Sequence, residues 1–338
     1  MNIKKYLLLL LIFWSSLGFS QTLINNQALQ FSIKQKNDTI NFIVIDTVLT
    51  EKKPIFLFLQ GSTPLPLFIK EKTGKIFMIG GGISNFEVSA ITKHYHLVVI
   101  SMPKTPVMVD YKHVNKHYNY IPNPDKPDEL AEAYLQADYL ENYVARAQKV
   151  LSFLRKQKWV DNSKLIIAGQ SQGTRIATKL ALVNKNITAV GLFSPDPFGR
   201  LDQYIREARY NAQMGKITWE QADARMKYWV SFFEKVYACK DLEKEPIYKS
   251  WKSFSKPLVQ DWLSIDIPTY IAYGTEDRTS DLCDIVPLYY IREGKTNLTL
   301  KRYLHVEHNF FEVVDGKVDY EKEHWKEVMN AFVTWTLD

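Results

Sequence analysis

The chain has 338 residues, 46% of them hydrophobic, and a formal net charge of +6. It carries only two cysteines, Cys239 and Cys283, far too few for a disulfide-built scaffold. The basic excess is mild and forms no block or aromatic-basic repeat, which argues against a nucleic-acid binder.

Lys4 and Lys5 precede an apolar run from Tyr6 to Trp14, and small residues follow as far as Gly18-Phe19-Ser20. This is the pattern of a secretory signal peptide over residues 1–20. The run is shorter than the roughly 20 residues a membrane-spanning helix needs. The expectation is therefore an exported protein, periplasmic or secreted, with no stable membrane anchor after cleavage at Ser20. In such a compartment Cys239 and Cys283 either pair or stand as separate thiols.

After the leader, Ala28 to Ile33, Thr39 to Asp46 and the strongly apolar Ile55 to Leu59 read as an antiparallel entry into a sheet, the third strand buried. The Gly80-Gly81-Gly82 run lacks the continuation of a dinucleotide fingerprint and reads as a turn. A short helix near Phe86 to Thr92 leads to a fourth buried strand, His96 to Ser101. Pro122, Pro124 and Pro127 then break the chain before one long amphipathic helix from about Asp128 to Lys158. The strand Lys164 to Ala168, a helix from Gly173 to Val183 and the strand Thr188 to Phe193 continue the alternation. Strands alternating with helices at these spacings predict an α/β fold with a mostly parallel central sheet and helices on both faces.

The pattern breaks in a charged, aromatic, mostly helical stretch and resumes with strands Pro268 to Tyr273 and Leu298 to Leu304, then a helix from Glu321 to Thr336. One domain over residues 21–338, carrying a helical lid at about 196–264, accounts for this better than two domains in series. The aromatic residues of the lid read mainly as its own packing.

Gly169-Gln170-Ser171-Gln172-Gly173 lies between a buried strand and a helix. A serine there sits on a tight turn, with glycines that let backbones crowd and a helix N-terminus that favours developing negative charge. A hydroxyl needs a base, and the base needs an orienting acid. Tyr273-Gly274-Thr275-Glu276-Asp277 and His305-Val306-Glu307-His308 follow the next two strands, at the sheet edge where such folds bind ligands.

In these motifs, over nearly all of the chain after the leader, the sequence resembles the α/β-hydrolase fold family. The wording is nearest the prolyl-oligopeptidase-like, dienelactone hydrolase and acyl-thioesterase branches. The resemblance implies a serine hydrolase with Ser171 as nucleophile, His308 as base and then acid, and Asp277 orienting His308. Asp196 and Glu276 are alternative acids, and His305 is set aside as lying within a strand. The resemblance also implies an oxyanion hole built from the backbone N–H groups of Gln172 and Ser62. Gln60 stands where relatives often have histidine, and Ser101-Met102-Pro103-Lys104 lacks the Asp-x-Arg-Gly turn common in relatives.

A carboxylic ester is the implied bond, with peptide or thioester cleavage on the same residues as the alternative. A non-catalytic binding protein on the same scaffold is the third reading. The partner is a small-molecule or peptide acyl substrate, with no cofactor, metal or nucleic acid. Asp110, His113 and His117 could face one side of a helix, but Lys112 and Lys116 and the lack of a glutamate base speak against a metal. Arg175, one turn past Ser171, reads as a salt-bridge partner rather than a contact to an anionic substrate.

Overall fold

The computed structural model describes residues 22–35 and 38–338. The leader expected over residues 1–20 lies outside the described residues. Strands β1 (Thr22–Ile24), β2 (Ala28–Lys34), β3 (Thr39–Val44) and β4 (Lys53–Leu59) open the chain. Short strands β5 (Phe68–Lys70) and β6 (Ile76–Met78), helix α1 (Val88–Thr92) and strands β7 (His96–Ile100) and β8 (Met108–Asp110) follow. Helices α2 (Glu132–Ala137) and α3 (Leu140–Leu154) precede strand β9 (Val160–Gln170), helix α4 (Gln172–Val183) and strand β10 (Ala189–Phe193).

Four helices then intervene: α5 (Asp202–Gln213), α6 (Trp219–Ala238), α7 (Pro246–Phe254) and α8 (Val259–Leu263). The chain closes with β11 (Thr269–Gly274), α9 (Val286–Arg292), β12 (Leu298–Tyr303), β13 (Phe311–Val314), β14 (Lys317–Glu323) and α10 (Trp325–Leu337).

Nine strands form one sheet in the order β1-β2-β3-β7-β4-β9-β10-β11-β12. The first three join antiparallel, and every pairing from β7 to β12 is parallel. Parallel strands covered on both faces must be apolar on both, which is why β4, β9 and β10 read as continuous hydrophobic runs. Alternate residues divide between two cores: Ile55, Leu57, Ile167 and Leu192 pack beneath α3, α4 and α8, whereas Phe56, Phe58, Ile166 and Phe193 pack beneath α1 and α10.

Three sequence expectations change. The single helix over 128–158 is two, broken at Asp138 and Tyr139, where Tyr139 is extended at φ −148°. Side chains compensate the break. The Asp138 carboxylate accepts from Tyr143 Oη at 2.8 Å and Ser250 Oγ at 2.8 Å, and Asn142 Nδ2 donates to the Ala137 carbonyl at 2.7 Å. The last helix starts at Trp325 rather than Glu321, because residues 311–323 form the hairpin β13–β14, turned by Asp315 and Gly316 at φ 49° and 73°. Asp110, His113 and His117 share no helix: Tyr111–His113 is one 3-10 turn and His117 lies in the next turn. Cys239 and Cys283 are both free thiols, so the pairing left open by the sequence does not form.

Phe332 plugs the second core. It is fully buried, with ring centroids 5.7 Å from Phe56, 5.3 Å from Phe193 and 5.3 Å from Tyr270, and it fills the space a side chain at Gly191 would need. Phe332→Ala is expected to destabilise the fold by about 3–5 kcal/mol, read as a lowered urea midpoint; a shift below about 1 kcal/mol would mean this core repacks around the void.

Candidate active site

Ser171 stands between β9 and α4 with φ 53° and ψ −119°, a conformation that costs a non-glycine residue about 1–3 kcal/mol. The turn is locked from both sides. The Ser171 N–H donates to the Phe193 carbonyl at 2.9 Å, and the Ser171 carbonyl accepts from the Thr174 N–H at 3.0 Å and Thr174 Oγ1 at 2.6 Å. The flanking glycines are steric necessities. A Cβ on Gly169 would lie 2.2 Å from the Gly173 carbonyl oxygen, and one on Gly173 would lie 2.1 Å from that of Leu59.

Two more loops converge on this turn. A Cβ on Gly274 would lie 2.1 Å from the Val306 carbonyl oxygen, and the Glu276 N–H donates to that same oxygen at 3.0 Å. The loop after β11 therefore lies directly on the loop after β12. Beneath it, the buried Phe310 ring packs 4.7 Å from Trp325 and 5.7 Å from Tyr303, anchoring the segment that carries His308. Ser194 Oγ, at the end of β10, donates to the His308 carbonyl at 2.7 Å.

The structure brings Ser171, His308 and Asp277 together. His308 Nε2 lies 2.9 Å from Ser171 Oγ, and His308 Nδ1 lies 2.9 Å from Asp277 Oδ2. Asp277 is almost fully buried and receives Ser280 Oγ at 2.7 Å on Oδ2 and the Thr279 N–H at 2.9 Å on Oδ1. Burial works against its charge, but the His308 ring and these donors outweigh burial and hold the carboxyl below its ordinary value. For His308, burial disfavours the imidazolium, yet the facing Asp277 carboxylate prevails and raises the ring above its ordinary 6.5. With the proton on Nδ1 the ring donates to Asp277 and offers a bare Nε2 to the serine hydroxyl. This is the arrangement that activates a weak oxygen nucleophile.

The other candidates are placed elsewhere. Glu276 is half-buried and lies 3.7 Å from Arg278. Asp196 is buried, but its Oδ1 accepts the Phe198 and Gly199 N–H groups at 3.1 and 3.0 Å, and its Oδ2 lies 3.7 Å from Arg175 Nη2. Burial pushes the Asp196 carboxyl up to about 7 despite that arginine. Arg175 also donates to the Lys256 carbonyl at 2.7 Å, which makes it a buried structural cation. His305 follows β12 in an exposed turn rather than lying within the strand, and its N–H donates to Thr275 Oγ1 at 2.9 Å.

Gln172 opens α4, so its N–H belongs to the helix donors that have no intrahelical acceptor. Its side chain is drawn aside to Asp138 Oδ1 at 3.4 Å. Ser62, two residues beyond the buried Gln60, borders the same cavity as Gln172. Gln60 Nε2 donates to the Ile100 carbonyl at 2.7 Å, tying the end of β4 to the end of β7 where relatives often carry histidine.

Two cavities meet at Ser62, Ser171 and His308. One, of about 340 Å³, lies under α5 and is edged by Arg175, Asp196, Arg200, Tyr204 and Arg278. The other, of about 760 Å³, is edged by Leu65, Phe77, Met78, Ile79, Phe311 and Trp325. Sequence reasoning missed Arg200, Ser194 and Ser280. Ser194 carried a usable signal as a polar residue at the C-terminal end of a buried strand, and Ser280 as a hydroxyl three residues after the acid.

The Esterase family model matches residues 70–336. No curated protein matches the sequence. Among solved structures, the acylaminoacyl peptidase of Pyrococcus horikoshii superposes with a TM-score of 0.50 at 14% identity, over 93% of this chain and 41% of that one. The thioesterase domain from the curacin biosynthetic pathway superposes with a TM-score of 0.50 at 11% identity, over 92% of this chain and 99% of that one. At these identities the two likenesses show the fold alone. The family match spans most of the chain, and the chain belongs to the Esterase family of α/β-hydrolase-fold hydrolases.

Proposed function

We propose that the protein hydrolyses a carboxylic ester through an acyl-enzyme on Ser171. The observation that carries this reading is the His308 ring bridging Ser171 Oγ and the buried Asp277 carboxylate, 2.9 Å from each.

As Ser171 Oγ bonds to the substrate carbonyl carbon, its proton passes to His308 Nε2 and the carbonyl electron pair moves onto oxygen. The N–H groups of Gln172 and Ser62 receive that oxyanion, and fixed donors of this kind cost no reorganisation when the charge develops. Collapse breaks the bond to the alcohol oxygen, which leaves with the proton from His308. Water then attacks the acyl carbon and gives a proton to Nε2. The second collapse breaks the bond to Ser171 Oγ, returns the proton to it and releases the acid. Asp277 stays ionised throughout, facing the imidazolium that forms twice per turnover. Membership in the Esterase family favours an ester over a peptide or thioester.

Ser171→Ala is expected to abolish turnover of a short 4-nitrophenyl ester while leaving the melting temperature within a few degrees. A fluorophosphonate should label Ser171, and His308→Ala should lose the label. Retained ester hydrolysis in Ser171→Ala would end the proposal, and a folded wild-type protein that takes no label would favour an idle binding scaffold.

The base must be neutral to act, so kcat/KM should fall as pH falls through the His308 pKa, with a midpoint above 6.5 because Asp277 raises it. Asp277→Asn removes that charge and leaves burial opposed only by the more distant Glu307 and Asp196. Its residual activity should show the acid limb displaced to lower pH; a limb in the same place would assign it to another group.

Gly274→Ala should force the loops bearing Asp277 and His308 apart. The rate of fluorophosphonate labelling is expected to fall by about a hundredfold, and an unchanged rate would mean that the Val306 loop yields without moving the imidazole.

A further inference from the structure

The cavity under α5 holds an arginine whose charge is not answered. Arg200 borders it, and its guanidinium lies 4.3 Å from the centre of the Trp251 ring. Among the described residues no carboxylate oxygen comes within 4.0 Å of Arg200, and its Nη1 is closed off from solvent without meeting a hydrogen-bond acceptor. The neighbouring carboxylates are each set against another cation, although Asp196 Oδ2 and Asp202 Oδ1 are buried without a hydrogen-bond donor. Asp196 faces Arg175, Asp202 Oδ2 takes Arg206 Nε at 2.9 Å, and Glu276 faces Arg278. Glu207, at the rim, is exposed to water. The aromatic cluster of the insertion fixes the arginine: Trp229 stacks on Tyr204 at 4.2 Å, Trp251 lies 5.7 Å from Trp229, and Arg200 lies on Trp251.

A half-buried guanidinium that borders the cavity and has no carboxylate beside it gains from a planar anion that can take the N–H groups it turns to the cavity. The cavity beside it leads to Ser171 and His308. On the far side of those residues the second cavity is larger and mostly apolar.

We infer that the substrate is an amphiphilic ester, with an anionic group on one half held by Arg200 and an apolar other half in the cavity edged by Phe77, Met78 and Trp325. This rests on the reading of Ser171 as the nucleophile, since the two halves are placed by the meeting of the cavities there. Arg200 selects the substrate through its charge and takes no part in proton transfer. Carboxylate and phosphate share the chemistry required, and the pairs below use carboxylate.

Two pairs of esters test it. In one the charge is on the acyl half, mono-4-nitrophenyl glutarate against 4-nitrophenyl butyrate. In the other it is on the alcohol half, 4-carboxybenzyl hexanoate against benzyl hexanoate. The charged member of one pair is expected to have a kcat/KM higher by at least about tenfold. Arg200→Gln should erase that ratio, and Arg200→Lys, which keeps a point charge without the fork, should retain only part of it. Equal rates within both pairs, or a ratio that survives Arg200→Gln, would overturn the inference.

Calorimetric binding of the same pairs to Ser171→Ala separates the two proposals. Tighter binding of a charged member there, together with wild-type protein inert to every ester, would sink the hydrolase reading and leave the anion site standing. Hydrolysis at Ser171 with no charge preference in rate or binding would do the reverse. If Arg200→Gln fails to fold, the wild-type ratios and Arg200→Lys still decide.

Discussion

Backbone crowding beneath Ser171 is the constraint from which the site follows. The carbonyl oxygen of Leu59, at the end of β4, occupies space that any side chain on Gly173 would claim, and the Gly173 carbonyl does the same to Gly169. Two central strands and the first turn of α4 are thereby pressed together without side chains between them. The chain has no room to leave β9 gradually, so Ser171 takes a positive φ and its Oγ is raised above the sheet edge. The strain is offset locally by the Thr174 contacts to the Ser171 carbonyl and by the Ser171 N–H on Phe193. A similar device operates two strands away, where Gly274 lets the Asp277 loop lie against Val306. Glycines at two strand ends on one sheet edge thus set the spacing of Ser171, Asp277 and His308.

Charge is partitioned with comparable economy. Two buried carboxylates stand near His308, and only one can orient it. Asp277 meets the ring at 2.9 Å and is held ionised by two further donors, whereas Asp196 spends Oδ1 on backbone N–H groups and turns Oδ2 towards Arg175. The result is two carboxyl groups in similar burial with opposite displacements of pKa, Asp277 down and Asp196 up. Local donors, rather than depth, decide which carboxylate is available as a permanent negative charge.

Much of this was legible in the sequence because it rests on short-range necessity. Continuous apolar runs on both faces announced a parallel sheet, and Gly169 to Gly173 announced a sharp strand-to-helix turn. Asp277 and His308 could be read because each follows a strand, Asp277 the buried β11 and His308 the edge strand β12. What escaped depended on tertiary partners or on a signal passed over. The five-residue step from Leu135 to Leu140 departs from the three-or-four spacing of one helix face and marked the break at Asp138, a signal passed over; the break is stabilised by Ser250 and Tyr143, and Ser250 lies 112 residues away. The β13–β14 hairpin did carry a local mark in Asp315-Gly316, the dipeptide that two-residue turns favour, outweighed by the charged run that follows. His305 was set aside for a wrong reason, because the strand before it ends at Tyr303, one residue short of the apolar pattern that closes on Leu304.

The insertion between β10 and β11 illustrates why substrate selection is harder to read than chemistry. Its helices α5 and α6 bury little beyond small residues such as Ala208, Ala212 and Ala222, so their packing does not announce which face lies over the sheet. Its large aromatic residues stack mainly on one another, through Tyr204, Trp229, Phe232 and Trp251. In a sequence they are indistinguishable from an aromatic cage for a ligand. In the fold they instead back Arg200, and of these four rings only Tyr204 borders the cavity beside the arginine. Ser171, His308 and Asp277 sit on the sheet edge, where strand ends dictate position. Arg200 and the aromatic rings behind it are borne by the insertion, where α5 and α6 pack largely on one another while the α7–α8 segment reaches the core through Phe254, Leu258 and Trp262, so only its outer part can change without disturbing the strands beneath.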